Sequence, residues 1–265
     1  MAKRRSSRLK GAEGFEAFYG DLFGDRWPAL RDALAREPIY HELDEGLVKP
    51  YYLDEASWYA AHALAPESGR VILDLCAAPG GKSLVIAGRM PRDASLVCNE
   101  RSATRRRRLR TVLDEHLPPQ TRARVEISGH DAREWGLHER NRYDRVLVDV
   151  PCSSERHVLS SPVHLAQWGR ARSKRLAAQA VGMLAAAVDA ASPGGLIVYS
   201  TCTVLPAEDD EVVKRVLERR RGVVELDKPT VRLGRFTETG ALIRPDTDGG
   251  RGPMFIARLA KRTAN

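Results

Sequence analysis

From Arg70 onward, short β-branched runs alternate with longer segments of helical periodicity, and that alternation restricts the chain more than any other feature. The runs are "RVILDL", "ASLVCNE", "RVEISG", "DRVLVDV" and "GLIVYST". Between them lie helical segments over Lys82–Met90, Ala103–His116, Arg172–Ala190 and Ala207–Arg220. Strands alternating with helices make βαβ units, so the predicted class is α/β, with a mostly parallel sheet covered by helices on both faces. The closing "PMFIARLAKR" predicts one more strand, at an edge or as the last one. Ahead of the sheet, Glu13–Arg36 has apolar residues at helical spacing and predicts two short helices divided by Gly24. Asp54 is placed to cap a third, in "LDEASWYAAHAL". The chain is thus expected to divide into a helical extension with a basic arm over residues 1–50 and a main domain over residues 51–265.

Composition narrows the partners without naming one. The formal net charge of +8 fits either a polyanionic partner or a soluble basic surface. Met1–Lys10 holds five basic residues and no acid; it reads as a phosphate-touching arm, part of an organellar transit sequence, or a charged terminus. No apolar stretch is long enough for a membrane-spanning helix. The four cysteines, Cys76, Cys98, Cys152 and Cys202, include no C-x-x-C pair. That argues against a disulfide framework or a zinc knuckle, and for a reducing compartment with no metal.

The first strand runs into a loop of small residues and then a helix: "VILDLCAAPGGKSLVIAGRM". In open α/β sheets, ligands bind where loops leave the carboxyl ends of strands. Ala77, Ala78, Gly80 and Gly81 let a ligand come close to the backbone. The loop is neither G-x-G-x-x-G nor a Walker sequence, since the first Walker glycine is missing. The next strand ends in Glu100, about 20 residues on, where a carboxylate can bond both ribose hydroxyls of a nucleoside cofactor. Asp131 follows the third strand, in position to accept from an adenine amine. Cys152 and Cys202 each lie just past a buried strand, flanked by Ser or Thr, whereas the thiols of Cys76 and Cys98 read as small buried hydrophobes.

"DLCAAPGGKS", "VDVPCSS" and "STCT" with "PAEDDEVV" resemble, in that order, the motif set of the Sun-type RNA 5-methylcytosine methyltransferases, over about Tyr51 to the end. Finer features, "YYLDEAS", "RVLVDVPCSSERH" and "GPMFIARL", are similar to the branch that modifies mitochondrial small-subunit ribosomal RNA. The resemblance implies a Rossmann-like class I methyltransferase fold with a seven-stranded sheet, and S-adenosylmethionine as cofactor. It implies cofactor contacts at Cys76, Ala77, Ala78, Pro79, Gly80, Gly81, Lys82, Glu100, Arg105, Asp131, Ala132 and Asp149. It makes Cys202 the nucleophile and associates Cys152 with product release. The family usually has aspartate where Glu100 stands.

The chemistry explains two thiols. Carbon 5 of cytosine is a poor nucleophile until a thiolate adds to carbon 6, after which the adduct must be resolved. Asp149 is placed to bond the ring where charge develops, and Pro151 stiffens its loop. Lys82 reads as a base contact, a backbone contact or a loop cap. If Pro206 opens the helix after Cys202, that helix's N-terminus favours the thiolate, and the acids over Glu208–Glu211 read as stabilisers of its first turn.

An RNA target must be unpaired or flipped out. "RRRRLR" at Arg105–Arg110 and "RSKRL" are candidate phosphate contacts or solvated helix faces. Trp168 is expected to pack, and His157 to face a base. Ribosomal RNA is preferred to transfer RNA on resemblance. A DNA cytosine-5 methyltransferase, with the P-C cysteine as nucleophile, and a non-catalytic ribosome-assembly factor are the rival readings. A monomer is the default, with room for an accessory protein that directs it to its RNA. The compartment is cytoplasmic for a bacterial source and mitochondrial for a eukaryotic one.

Overall fold

The computed structural model describes residues 9–227 and 231–263, so most of the basic N-terminal arm lies outside the described residues. Helices α1 (Gly11–Phe23) and α2 (Trp27–Ala35) flank a single turn at Gly24–Arg26, as the periodicity predicts. Strands β1 (Tyr40–Leu43) and β2 (Tyr51–Asp54) form an antiparallel hairpin that straddles residue 50. Helix α3 (Glu55–His62) follows; its N-cap is Asp54, whose Oδ1 accepts from the Ser57 amide at 3.2 Å.

The main sheet is built from β3 (Val71–Asp74), β4 (Ser95–Asn99), β5 (Val125–Ser128), β6 (Tyr143–Asp149), β7 (Ala191–Thr201), β8 (Val224–Asp227), β9 (Arg235–Phe236), β10 (Ala241–Ile243) and β11 (Met254–Lys261). Its order is β5-β4-β3-β6-β7-β11-β10-β9, with β8 also pairing β11. The first five are parallel. Intervening helices are α4 (Gly81–Arg89), α5 (Ala103–His116), α6 (Pro119–Arg122), α7 (Trp135–His138), α8 (Glu155–Leu159), α9 (Pro162–Ala166), α10 (Arg170–Ala190) and α11 (Asp210–Arg219).

Side-chain alternation explains why the strands read as unbroken apolar runs. Ile72, Leu96, Leu147, Val198 and Ile256 enter one core with α3, α4 and α5. Their neighbours Leu73, Val97, Val146, Ile197 and Phe255 enter a second core with α7, α10 and α11. Successive strand residues point to opposite faces, and both faces here are covered. Each fully buried Leu or Ile contributes about 1.5–3 kcal/mol.

Two expectations are corrected. The sheet has nine strands among the described residues rather than seven: the five parallel strands, β11, and the short β8, β9 and β10 beyond it. Strand β11 is the last in the chain, one of the two expected alternatives, and lies inside the sheet: it pairs antiparallel with β7 on one side and with β10 and β8 on the other. Helix α11 begins at Asp210, not Pro206. Asp209, its N-cap residue, sits at φ −104°, ψ −106°, outside the helical region, and its carboxylate accepts from Thr201 instead of capping the helix.

A third core belongs to the N-terminal helices. Phe15, Tyr19, Trp27, Leu30 and Leu34 pack on Val158, Trp168, Val204 and Leu205. Trp168 is 5 % exposed and meets Phe15 edge-on, so its packing role is the observed one.

Candidate active site

The loop after β3 lies at the carboxyl edge of the sheet, as predicted. Gly80 caps α4 at φ +124°, and a Cβ there would stand 3.0 Å from Val112 and 3.3 Å from Leu109. Only glycine fits both the conformation and the space. Asn99, at the end of β4, is a buried hub: its Nδ2 donates to the Leu75 and His130 carbonyls, both at 3.1 Å. Its Oδ1 accepts from Ser128 Oγ at 3.0 Å and the His130 amide at 2.9 Å. One side chain thereby ties together the ends of three neighbouring strands.

Around that hub is a cavity of about 320 Å³ lined by Cys76, Glu100, Arg105, Asp131 and Ala132, with Pro151 and Met183 as its apolar wall. Glu100 is 5 % exposed; it accepts from the Ser102 amide at 2.7 Å and pairs with Arg105 at 2.9 Å. Arg105 also donates to the Ala78 carbonyl at 2.6 Å, bridging the glycine loop to Glu100. Asp131 is bonded by Arg133, which with the Arg101 charge holds its pKa down at about 2. Both acids line this cavity, side by side at the ends of β4 and β5.

Cys76 also lines an adjoining cavity with Asp74, Ala77, Ala78, Pro79, Gly81, Lys82 and Asp149. Asp74 is fully enclosed. Its Oδ2 accepts from Ser83 Oγ at 2.7 Å, while its Oδ1 is buried with no hydrogen-bond partner. Burial raises the Asp74 pKa to about 7. An orphaned buried carboxylate oxygen on a cavity wall fits a ligand amine. Burial penalises the Lys82 ammonium, but Asp149 at 2.8 Å outweighs that and keeps its pKa above the ordinary lysine value. Lys82 also donates to Ser57 Oγ at 3.1 Å, and Asp149 accepts from Ser200 Oγ at 2.8 Å. Lys82 is thus ion-paired with Asp149 on the wall of this cavity.

A third cavity, sharing Tyr40, Asp54 and Ser57 with the second, is lined by Cys202, Ser154, Arg156 and His157. Cys152 and Cys202 meet at this end of the sheet: Sγ to Sγ is 2.9 Å, and the Cys202 amide donates to the Cys152 sulfur at 3.2 Å. Ser154, between P-C loop and α8, is held at φ +51°, a conformation unusual for a non-glycine residue. The hydrogen bond shared with the Cys152 thiol lowers the Cys202 pKa, with help from Ser154 and Lys82 against the effects of burial and Asp149. The same bond, with burial, raises Cys152. The contact thus acts in opposite directions on the two thiols, down for Cys202 and up for Cys152. Burial pushes the thiols of Cys76 and Cys98 up, which leaves them unsuited to nucleophilic work.

Of the acids after Cys202, Asp210 and Glu211 stand in the first turn of α11 as expected, whereas Glu208 and Asp209 do not serve the helix terminus. Glu208 and Asp209 are buried; Glu208 accepts from the Ser153 amide at 2.8 Å and from its hydroxyl, and Asp209 accepts from Thr201 Oγ1 at 2.6 Å. Sequence reasoning also missed Asp74, Asn99 and Glu155. The one available signal was a carboxylate ending an apolar run, in "VILD". Among the described residues no group of three or more His, Cys, Asp or Glu could hold a metal, and no helix is long and apolar enough to cross a membrane.

Residues 61–260 match the family described as 16S rRNA methyltransferase RsmB/F. The chain belongs to that family. It is 36% identical over 236 residues to the mitochondrial tRNA (cytosine(34)-C(5))-methyltransferase of Mus musculus, covering 85% of this chain and 68% of that one. It is 34% identical over 235 residues to the 5-cytosine rRNA methyltransferase NSUN4 of Bos taurus, covering 82% and 61%. Ribosomal RNA small subunit methyltransferase F of Erwinia tasmaniensis is 30% identical over 225 residues, covering 82% and 46%. The chain thus spans about half to two thirds of these relatives' lengths. Among solved structures, NSun6 from Pyrococcus horikoshii with SFG has TM-score 0.67 at 24% identity, covering 83% of this chain and 55% of that one. A methyltransferase homolog from the same organism has TM-score 0.72 at 19% identity, covering 98% and 97%. These likenesses bear out the Rossmann-like α/β fold of an RsmB/F methyltransferase.

Proposed function

We propose that this RsmB/F family member methylates carbon 5 of a cytosine in RNA, with Cys202 as covalent nucleophile and small-subunit ribosomal RNA as substrate. The observation that carries this is the paired thiols: Cys202, lowered in pKa by the Cys152 thiol, lines a cavity adjoining the one that holds Lys82 and Asp149. Bound S-adenosylmethionine supplies an electrophilic methyl group. Its nucleoside half is assigned to the Glu100–Asp131 cavity, and its amine to Asp74, whose unpartnered Oδ1 suits a cation.

In this reading the Cys202 thiolate forms a bond to carbon 6 of the ring, and the ring electrons shift so that carbon 5 becomes nucleophilic. Asp149, oriented by Lys82 and Ser200, bonds the polar edge of the ring as its charge changes. Once the Cys202 sulfur is bonded to the ring it no longer shares the Cys152 proton, which passes to solvent. After methylation the Cys152 thiolate takes the carbon 5 proton, the ring double bond re-forms and the Cys202 sulfur leaves as thiolate, again hydrogen-bonded by the Cys152 thiol. A transfer RNA substrate is the second reading, favoured by the name of the 36% identical relative.

Labelled S-adenosylmethionine and total RNA test the reaction. Cys202→Ser is expected to abolish transfer, and Cys152→Ser to accumulate a protein–RNA adduct; the reversed pattern overturns the assignment of the nucleophile. Base-resolved mapping of 5-methylcytosine with and without the gene separates ribosomal from transfer RNA.

A further inference from the structure

The two cysteine loops are cross-tied by buried carboxylates that the methyl-transfer reading leaves without a task. Glu155, three residues after Cys152, is 0% exposed and reaches toward the other loop. Its Oε1 accepts from Thr203 Oγ1 at 2.6 Å, and its Oε2 from the Val204 amide at 3.3 Å. Glu208, six residues after Cys202, reaches back and accepts from the Ser153 amide at 2.8 Å. Each loop therefore sends a carboxylate to the residues directly following the other loop's cysteine. The arrangement is closed from outside by Tyr19 of α1, itself fully buried, whose hydroxyl donates to Glu155 Oε1 at 2.6 Å.

We propose that Glu155 and Glu208, with Tyr19, are positioning residues that hold the Cys152 and Cys202 sulfurs together, so that the N-terminal helices form part of the catalytic apparatus. The alternative, that these acids merely fill the core, is physically unfavourable. Burying carboxylates is costly unless each is well hydrogen-bonded; an apolar side chain would fill the same space without that cost. What carboxylates add is direction, because an acceptor with two oxygens fixes two donors at once. Val204 and Leu205, packed against Phe15 and Trp27 in one cluster, give the same loop an apolar seat on α1 and α2.

The inference rests on the proposed roles of the two thiols, but its test need not. Phenylarsine oxide binds tightly only where two thiols are close enough to share one arsenic, releasing water as both S–As bonds form. The full chain is titrated with it, alongside single-turnover methyl transfer, for wild type, Tyr19→Phe, Glu155→Gln and Glu208→Gln. Tyr19→Phe removes one hydroxyl from a packed ring, so it keeps the fold. Each variant is expected to bind the arsenical at least fivefold more weakly and to lose at least fivefold in the transfer rate, with the RNA KM and the cofactor Kd within twofold of wild type. Because glutamine retains one acceptor oxygen, Glu155→Gln should retain more of both than Glu155→Ala. Folded variants with unchanged arsenical affinity overturn the clamp, whatever the enzyme does. A wild-type chain that binds the arsenical but transfers no methyl overturns the proposed reaction and leaves the clamp supported.

Discussion

The Cys152 and Cys202 sulfurs stand 2.9 Å apart, although fifty residues separate them in the chain. The contact joins the loops that leave adjacent parallel strands, β6 and β7, so the pairing follows from sheet topology. It also makes the two thiols unequal: Cys152 is raised in pKa and Cys202 lowered.

That inequality predicts the pH dependence of alkylation. A group whose pKa is lowered ionises earlier as pH rises, so Cys202 should react with iodoacetamide at lower pH than an ordinary thiol. Cys152→Ala removes the largest lowering influence on Cys202. The rising limb of its alkylation rate is expected to move to higher pH, read by mass spectrometry of the Cys202 peptide. An unmoved limb would show that Cys152 does not activate the nucleophile.

Asp74 predicts a pH-dependent cofactor affinity. Its folded pKa of about 7, raised by burial, exceeds the ordinary value of 3.8. Between those values the folded state holds the extra proton, so the stability of the ligand-free chain falls as pH rises from about 4 to 7. A bound ammonium favours the ionised carboxylate, so binding must expel the proton at low pH. S-adenosylmethionine affinity is expected to drop by up to about tenfold per unit as pH falls below 7, measured by calorimetry in buffers of different ionisation enthalpy. Asp74→Asn should bind more weakly at pH 8 and lose the pH dependence between 5 and 7. It should also be more stable than wild type at pH 8 without cofactor.

Much of this was legible in sequence, for a physical reason. The alternation that places Ile72 and Leu73 in opposite cores is a local property of the chain, and so is the strand-end position of Glu100, Asp131, Cys152 and Cys202. What escaped depends on partners far away. At the start of α11 Asp209 bonds Thr201 on β7 rather than the helix, and the interior place of β11 follows from the short strands that cover its outer edge. Glu155 and Glu208 take partners 48 and 55 residues away, so in sequence they look like ordinary surface acids.

Gly80 predicts a steric limit on the cofactor loop. A side chain at φ +124° is strained, and its Cβ would also press Val112 at 3.0 Å. Gly80→Ala is expected to cost about 1–3 kcal/mol of stability and to lower Tm by several degrees. Because the loop lines the site, cofactor Kd should rise as well. Retention of both wild-type Tm and Kd would mean that the loop adapts and that the backbone is not the constraint.

Helix α5 predicts how RNA affinity responds to salt. Its arginines are not equivalent. Arg105 is committed to Glu100 and the Ala78 carbonyl, and Arg106 to the carbonyls of Glu100 and Arg101. Arg107, Arg108 and Arg110 are exposed and form no ion pair among the described residues, so they remain available to phosphates. Each phosphate neutralised on a single strand contributes about 0.7 to the slope of log affinity against log salt. Arg107→Ala, Arg108→Ala and Arg110→Ala together should flatten that slope by ~2 if all three make contact. Affinity should fall for cognate and unrelated RNA alike, since phosphate contacts carry no sequence choice. Fluorescence anisotropy over 50–300 mM KCl measures it. An unchanged slope would assign these arginines to solvent and move the RNA path to another face.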